Sequence, residues 1–87
     1  DNKQLEIAFV PQGDMPTVGL VWERGVPYQQ GFREGNTIVK IDGKDVRSMA
    51  QFMRWGFEKN KEHCFTVRDG RGFQREIKWV RLTDDSN

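Results

Sequence analysis

The chain has 87 residues, which is enough for one small domain with one hydrophobic core. Charged residues make up 31% and apolar residues 36%, which excludes an intrinsically disordered chain, and no apolar run approaches the roughly 18 residues that a membrane-spanning helix needs. The formal net charge of +1 argues against a nucleic-acid partner, because nucleic-acid-binding domains carry a clear basic excess. We expect residues 1–87 to form a single domain without membrane insertion, ordered from about 4 to 82 between polar tails.

Two strands are predicted in the first part of the chain. From Leu5 to Phe9, apolar side chains occupy every second position, which is the period of a half-buried strand. Pro11, Gly13 and Pro16 follow, and they predict a break in the chain. A second alternating run, from Val18 to Trp22, predicts the next strand.

A short helix and a third strand come next. Pro27 suits the first position of a single helical turn, and Gly31 suits its C-terminal cap. The run from Ile38 to Ile41 predicts a strand, and the dipeptide Asp42-Gly43 after it is typical of a tight turn between strands.

A second helix is predicted from about Met49 to Phe57. It begins with a capping box, in which the Ser48 hydroxyl accepts from the amide of Gln51 while the Gln51 side chain reaches back to the Ser48 amide. Helical spacing places four residues on one stripe of this helix, namely Met49, Phe52, Met53 and Gly56.

A hairpin completes the predicted fold. Strands around Phe65 to Val67 and from Phe73 to Leu82 are joined by a turn at Asp69-Gly70-Arg71-Gly72. Two helices and five or six short strands form a small α+β domain, or a partly open barrel capped by helices. In so small a domain we expect Trp22, Trp55 and Trp79 to fill the core rather than form a ligand-stacking surface.

No catalytic group is evident in the sequence. The one histidine, His63, precedes the one cysteine, Cys64, and neighbours in a strand point to opposite faces. We therefore expect a buried Cys64, a surface His63 and no enzymatic activity. Metal-ligating residues do not cluster at the short spacings that zinc requires, so we expect no metal and no other cofactor.

The middle of the chain resembles a PDZ domain. Three runs carry the resemblance: Gly25-Val26-Pro27-Tyr28, Gln30-Gly31-Phe32, and Gly35 to Val46, which contains Ile38-Val39-Lys40-Ile41-Asp42-Gly43. In the family they read Gly-Ser-Pro-Ala, Ala-Gly-Leu and Gly-Asp-x-Ile-hydrophobic-x-Ile-Asn/Asp-Gly-x-x-Val. The order of elements is similar to that of bacterial, circularly permuted members, in which the last strand, here Gln74 to Leu82, replaces the usual first strand.

The resemblance implies a PDZ-like fold and a peptide-binding groove. In the family, an extended peptide or unfolded polypeptide segment adds as a strand to a sheet edge, beside the second helix. The implied groove residues are Leu5, Glu6, Ile7, Ala8, Phe9, Met49, Met53 and Gly56. Glu6 stands where the family has a glycine in the turn that binds a C-terminal carboxylate, so its negative charge should disfavour a free carboxylate.

The resemblance also implies a context. Such modules accompany exported bacterial proteases, and the short start of this chain looks most like retropepsin-like aspartyl proteases of Bacteroides-type bacteria. This implies a module of a longer, extracytoplasmic protein, with a parent protease domain as a further partner. The alternative is a structural spacer whose groove is closed by its own chain or by the parent protein.

Overall fold

The computed structural model describes residues 6–55 and 60–81, which form a mostly antiparallel sheet with two short helices. The elements are β1 (Ile7–Gln12), β2 (Met15–Val21), α1 (Val26–Gln30), β3 (Thr37–Ile41), β4 (Lys44–Asp45), α2 (Met49–Trp55), β5 (Glu62–Arg68) and β6 (Gln74–Val80). The prediction of a small α+β domain is thereby confirmed. The strand order is β1-β2-β3-β5-β6, with β4 paired to β3. Because β1 and β6 lie at opposite ends of this order, the described sheet does not close into a barrel.

The first hairpin differs from its prediction. β1 does not break at Pro11 but continues through it, and Pro11 pairs with Pro16 across the hairpin. The turn lies at Gly13 and Asp14, whose φ angles of +56° and +67° are those of a type I′ turn. Strand pairs alternate along an antiparallel ladder, and the proline pair falls at a non-hydrogen-bonded position. The missing amide of proline therefore costs the ladder nothing.

The predicted short helix and the turn after β3 are confirmed. Pro27 lies in the first turn of α1, and Gly31 ends the helix at φ +121° with its N–H donated to the carbonyl groups of Pro27 and Tyr28. Asp42 and Gly43 connect β3 to β4, and both have positive φ angles.

One of the two hydrogen bonds of the predicted capping box of α2 is confirmed. Ser48 Oγ accepts the N–H of Gln51 at 3.0 Å, as predicted. The Gln51 side chain, however, accepts the N–H of Arg47 and not that of Ser48. The predicted helix end at Phe57 lies outside the described residues.

The hydrophobic core lies on one face of the sheet, where α2 packs. Its buried members are Ile7, Val18, Val21, Phe32, Ile38, Ile41, Val46, Phe52, Phe65, Val67, Ile77 and Trp79. Phe32 is fully buried and contacts the rings of Phe65 and Trp79 edge-on, each at 5.5 Å between centroids. The prediction of a core position is correct for Trp79 and wrong for Trp22 and Trp55, which are 41% and 40% exposed.

Candidate functional site

The two predicted walls of the groove, β1 and α2, lie together in the structure. The rings of Phe9 and Phe52 pack edge to face with their centroids 5.0 Å apart. The start of the helix is held against the β1–β2 turn, because the N–H of Met49 donates to the carbonyl of Asp14 at 2.6 Å. The hairpin turn thus sets where α2 begins relative to β1.

The backbone of Ile7 is turned towards the end of the sheet. The carbonyl of Glu6 accepts the N–H of Trp22 at 2.9 Å, so Glu6 faces β2. Ile7 is paired with Val21 in the same ladder. Because backbone groups of successive residues point to alternate sides of an antiparallel strand, the N–H and C=O of Ile7 point away from β2. An added strand needs donor and acceptor groups with this direction.

The side chains of β1 divide between core and outer face. Ile7 is buried, and Phe9 packs against the core beside it. Ala8 is half-buried, and strand alternation directs it to the opposite face of the sheet. Ile7 and Phe9 therefore act first as core residues. Leu5, predicted at its start, lies outside the described residues.

The helix wall carries one core residue and two methionines. Phe52 is fully buried, Met49 is half-buried against the core, and Met53 is 62% exposed. Of the two methionines proposed for the groove, Met53 is therefore the accessible one. Gly56, predicted at the far end of this wall, lies outside the described residues.

Glu6 occupies a defined place beside the β2–α1 turn. A methyl group added to Gly25 would lie 3.1 Å from Cβ, 3.2 Å from Cγ and 3.3 Å from Cδ of Glu6. The Glu6 side chain is thus laid against the backbone of Gly25. This contact is possible because Gly25 has no side chain.

A second polar site joins the β3–β4 turn to β5, and the sequence interpretation missed it. Nδ1 of His63 lies 2.6 Å from Oδ2 of Asp42, and Oδ1 of Asp42 accepts the N–H of Cys64 at 2.9 Å. The predicted surface position of His63 is wrong, since His63 is buried, and Cys64 is only half-buried. Alternation in β5 explains this, because His63, Phe65 and Val67 share the core face.

The electrostatics of this site follow from its contacts. The pKa of Asp42 is held below its ordinary value by the N–H of Cys64 and then by His63. The pKa of the Cys64 thiol is raised by burial and by the nearby Glu76 carboxylate, in contrast to the lowered pKa of a thiolate nucleophile. The Nε2 atom of His63 is buried without a hydrogen-bond partner among the described residues.

Within residues 6–55 and 60–81, no three His, Cys, Asp or Glu side chains gather as a metal site. No helix in the described ranges is long and apolar enough to cross a membrane. No protein-family model matches the chain, and no curated protein matches it. The PDZ resemblance therefore remains an expectation from the sequence.

Proposed function

We propose that this domain binds an extended segment of another polypeptide as an added strand along β1, next to α2. One observation carries the proposal: the N–H and C=O of Ile7 point away from β2 at the end of the strand order. Backbone hydrogen bonds to such a strand supply affinity that is independent of ligand sequence.

Selectivity would come from the helix wall. Met53 presents an exposed apolar side chain, and Met49 lies one turn before it. Methionine is flexible and polarisable, so this wall accepts apolar side chains of varied shape. We expect a dissociation constant around micromolar or weaker, because a single added strand buries little area against the entropy lost by a free peptide.

Glu6 affects whether a ligand with a free C-terminal carboxylate can bind. Its carboxylate precedes Ile7 and lies beside the β2–α1 turn. A peptide ending there in a free carboxylate would bring two negative charges together. We therefore propose that the domain prefers internal or amidated segments over free C-termini.

A structural spacer is the second candidate, and one contact favours it. The rings of Phe9 and Phe52 touch across the space between β1 and α2. In a spacer this contact would close the groove, and the domain would have no independent ligand.

The PDZ resemblance supports a wider proposal about context. The domain would be a non-catalytic regulatory or substrate-presenting module of an exported bacterial protease, in the periplasm or cell envelope. His63 and Cys64 are consistent with a non-catalytic module, since strand alternation separates their side chains.

An amide-shift titration of the isotope-labelled chain tests the binding site. The ligands are one apolar peptide with a free C-terminus and the same peptide amidated, added to the natural chain and to Glu6→Gly. We expect shifts at β1 and α2, an equal or better affinity for the amide, and reversal of that preference in Glu6→Gly. Shifts confined to residues far from β1 and α2 would contradict the site. Absence of shifts with a panel of apolar peptides would favour the spacer.

A further inference from the structure

Three exposed arginines lie at one end of the domain, where the α1–β3 loop meets the β5–β6 turn. We call this surface the arginine end; its members are Arg33, Arg71, Phe73 and Arg75. The backbone brings them together. Thr37, at the start of β3, pairs with Arg68 at the end of β5, and the guanidinium of Arg75 donates to the carbonyl of Gly31.

None of these arginines forms an ion pair with another residue that the structure describes. Arg33 donates to the carbonyl groups of Tyr28 and Phe32 at 2.7 and 2.8 Å and lies 3.6 Å from the centre of the Tyr28 ring. These contacts orient the guanidinium but add no negative charge. Among residues 6–55 and 60–81, Lys40 pairs with Asp45 and Asp42 contacts His63, and neither contact includes an arginine of this surface.

The β5–β6 turn also carries the carboxylate of Asp69, which shapes its backbone. Oδ1 of Asp69 accepts the N–H groups of Arg71 and Phe73 at 2.8 and 3.1 Å. The N–H of Asp69 in turn donates to the carbonyl of Phe73 at 2.9 Å. These bonds fix the turn in one shape, so little ordering entropy is lost when it meets a partner.

Phe73 supplies an apolar contact point at the end of this turn, just before β6. Its side chain is 67% exposed, the largest exposure among the exposed large apolar side chains of the described residues. An exposed aromatic ring flanked by arginines has the composition of a protein-contact surface, where Phe and Arg are both enriched.

We propose that the arginine end binds an acidic segment of a partner polypeptide that places an apolar side chain against Phe73. Planar guanidinium groups match carboxylates in a two-bond geometry. A nucleic acid fits less well, because the formal net charge of the chain is only +1, whereas nucleic-acid-binding domains carry a clear basic excess. This proposal is independent of binding at β1.

The first experiment uses a capped peptide of glutamates around one phenylalanine, with a glutamine version as its matched control. We expect saturable amide shifts in residues 31–37 and 68–75. The glutamine peptide should bind at least about tenfold more weakly than the glutamate peptide. Binding of the glutamate peptide should also weaken as added salt screens the charges. Equal binding of the glutamine peptide, or shifts elsewhere, would overturn the proposal. So would tighter binding of a single-stranded oligonucleotide or of anionic phospholipid vesicles.

Substitutions locate the contact. Arg71→Gln and Phe73→Ser should each lower the affinity for the glutamate peptide by about two- to fivefold, and the double variant should lower it by about tenfold. Arg47→Gln is the matched control, since Arg47 is exposed and lies after β4, outside this surface. All three side chains are exposed, and an amide spectrum with unchanged dispersion verifies the fold of each variant. If Arg47→Gln lowered the affinity for the peptide as much as Arg71→Gln does, the peptide would not bind specifically at the arginine end.

Discussion

Oδ2 of Asp42 lies 2.6 Å from Nδ1 of His63, and this contact joins the β3–β4 turn to the start of β5. Asp42 also bonds Cys64 twice, through its side chain to the N–H and through its own N–H to the carbonyl at 2.7 Å. Its backbone meanwhile has φ +52°, which aspartate tolerates better than most residues. One residue thus shapes a turn and anchors the neighbouring strand.

We expect Asp42→Asn to lower the free energy of unfolding by about 1–3 kcal/mol, because a charged acceptor becomes a neutral one. Asparagine keeps the shape and tolerates the same backbone angle but has one acceptor oxygen instead of two, so the loss reports the charge together with one hydrogen-bond acceptor. Urea denaturation measures it. The control is Asp45→Asn, which removes an exposed contact with Lys40 at 4.0 Å and should cost less than about 0.5 kcal/mol. Equal losses in the two variants would show that the Asp42 carboxylate has no special role.

The lowered pKa of Asp42 predicts a loss of stability in acid. Because its folded pKa lies below the ordinary value of 3.8, the charged form stabilises the fold above that value, and this contribution disappears as pH falls through the folded pKa. We expect the difference in urea midpoint between the natural chain and Asp42→Asn to shrink as pH falls from about 5 towards 2. A difference that stays constant over this range would contradict the assigned pKa shift.

The turns were predictable from the sequence because their chemistry is local. Asp42-Gly43 and Gly31 have backbone requirements that a few neighbouring residues satisfy. The burial of His63 was not predicted, although its alternation with Phe65 and Val67 indicates the core face. Histidine alone favours the surface, and the partner that makes burial tolerable, Asp42, is 21 positions away.

The groove shows the same division between local and distant information. Helical spacing placed Met49, Phe52 and Met53 on one stripe of α2, but spacing alone does not say which of them faces the strand. The contact between Phe52 and Phe9 decides this, and it depends on the hairpin holding the start of α2 through Asp14. Trp22 and Trp55 were wrongly predicted to lie in the core for a similar reason. The size of a small domain sets how much surface is buried in total, but it does not say which side chains stay exposed.

Ser48→Ala should destabilise the fold by about 0.5–2 kcal/mol through loss of the bond from its hydroxyl to the N–H of Gln51. Ser48→Asp provides the control, because aspartate also caps a helix N-terminus and should retain most of the stability. Chemical denaturation of both variants measures the effect. A midpoint for Ser48→Ala equal to that of the natural chain would mean that this cap contributes nothing.

Gly25 and Glu6 should be coupled. Gly25→Ala places a methyl group 3.1 Å from the Glu6 Cβ, so we expect a loss of about 1 kcal/mol. Part of the loss should vanish in the Glu6→Gly background, where the crowded atoms are absent. A double-mutant cycle of denaturation free energies separates the interaction between residues 6 and 25 from any change in the capping of α1. Additive single effects would show that the contact carries no strain.

The last prediction separates the peptide-binding module from the spacer. Met53 is 62% exposed, so Met53→Gln should change stability by less than about 0.5 kcal/mol. If α2 forms a wall of the peptide site, the same change should weaken an apolar peptide by about two- to fivefold, because an apolar contact is lost. Ala50→Gln is the matched control, since Ala50 is exposed on the same helix outside the proposed wall. Amide-shift titrations of the three chains give the affinities. Equal affinities for all three chains would remove Met53 from the site, and equal losses in both variants would point to a general effect on the helix.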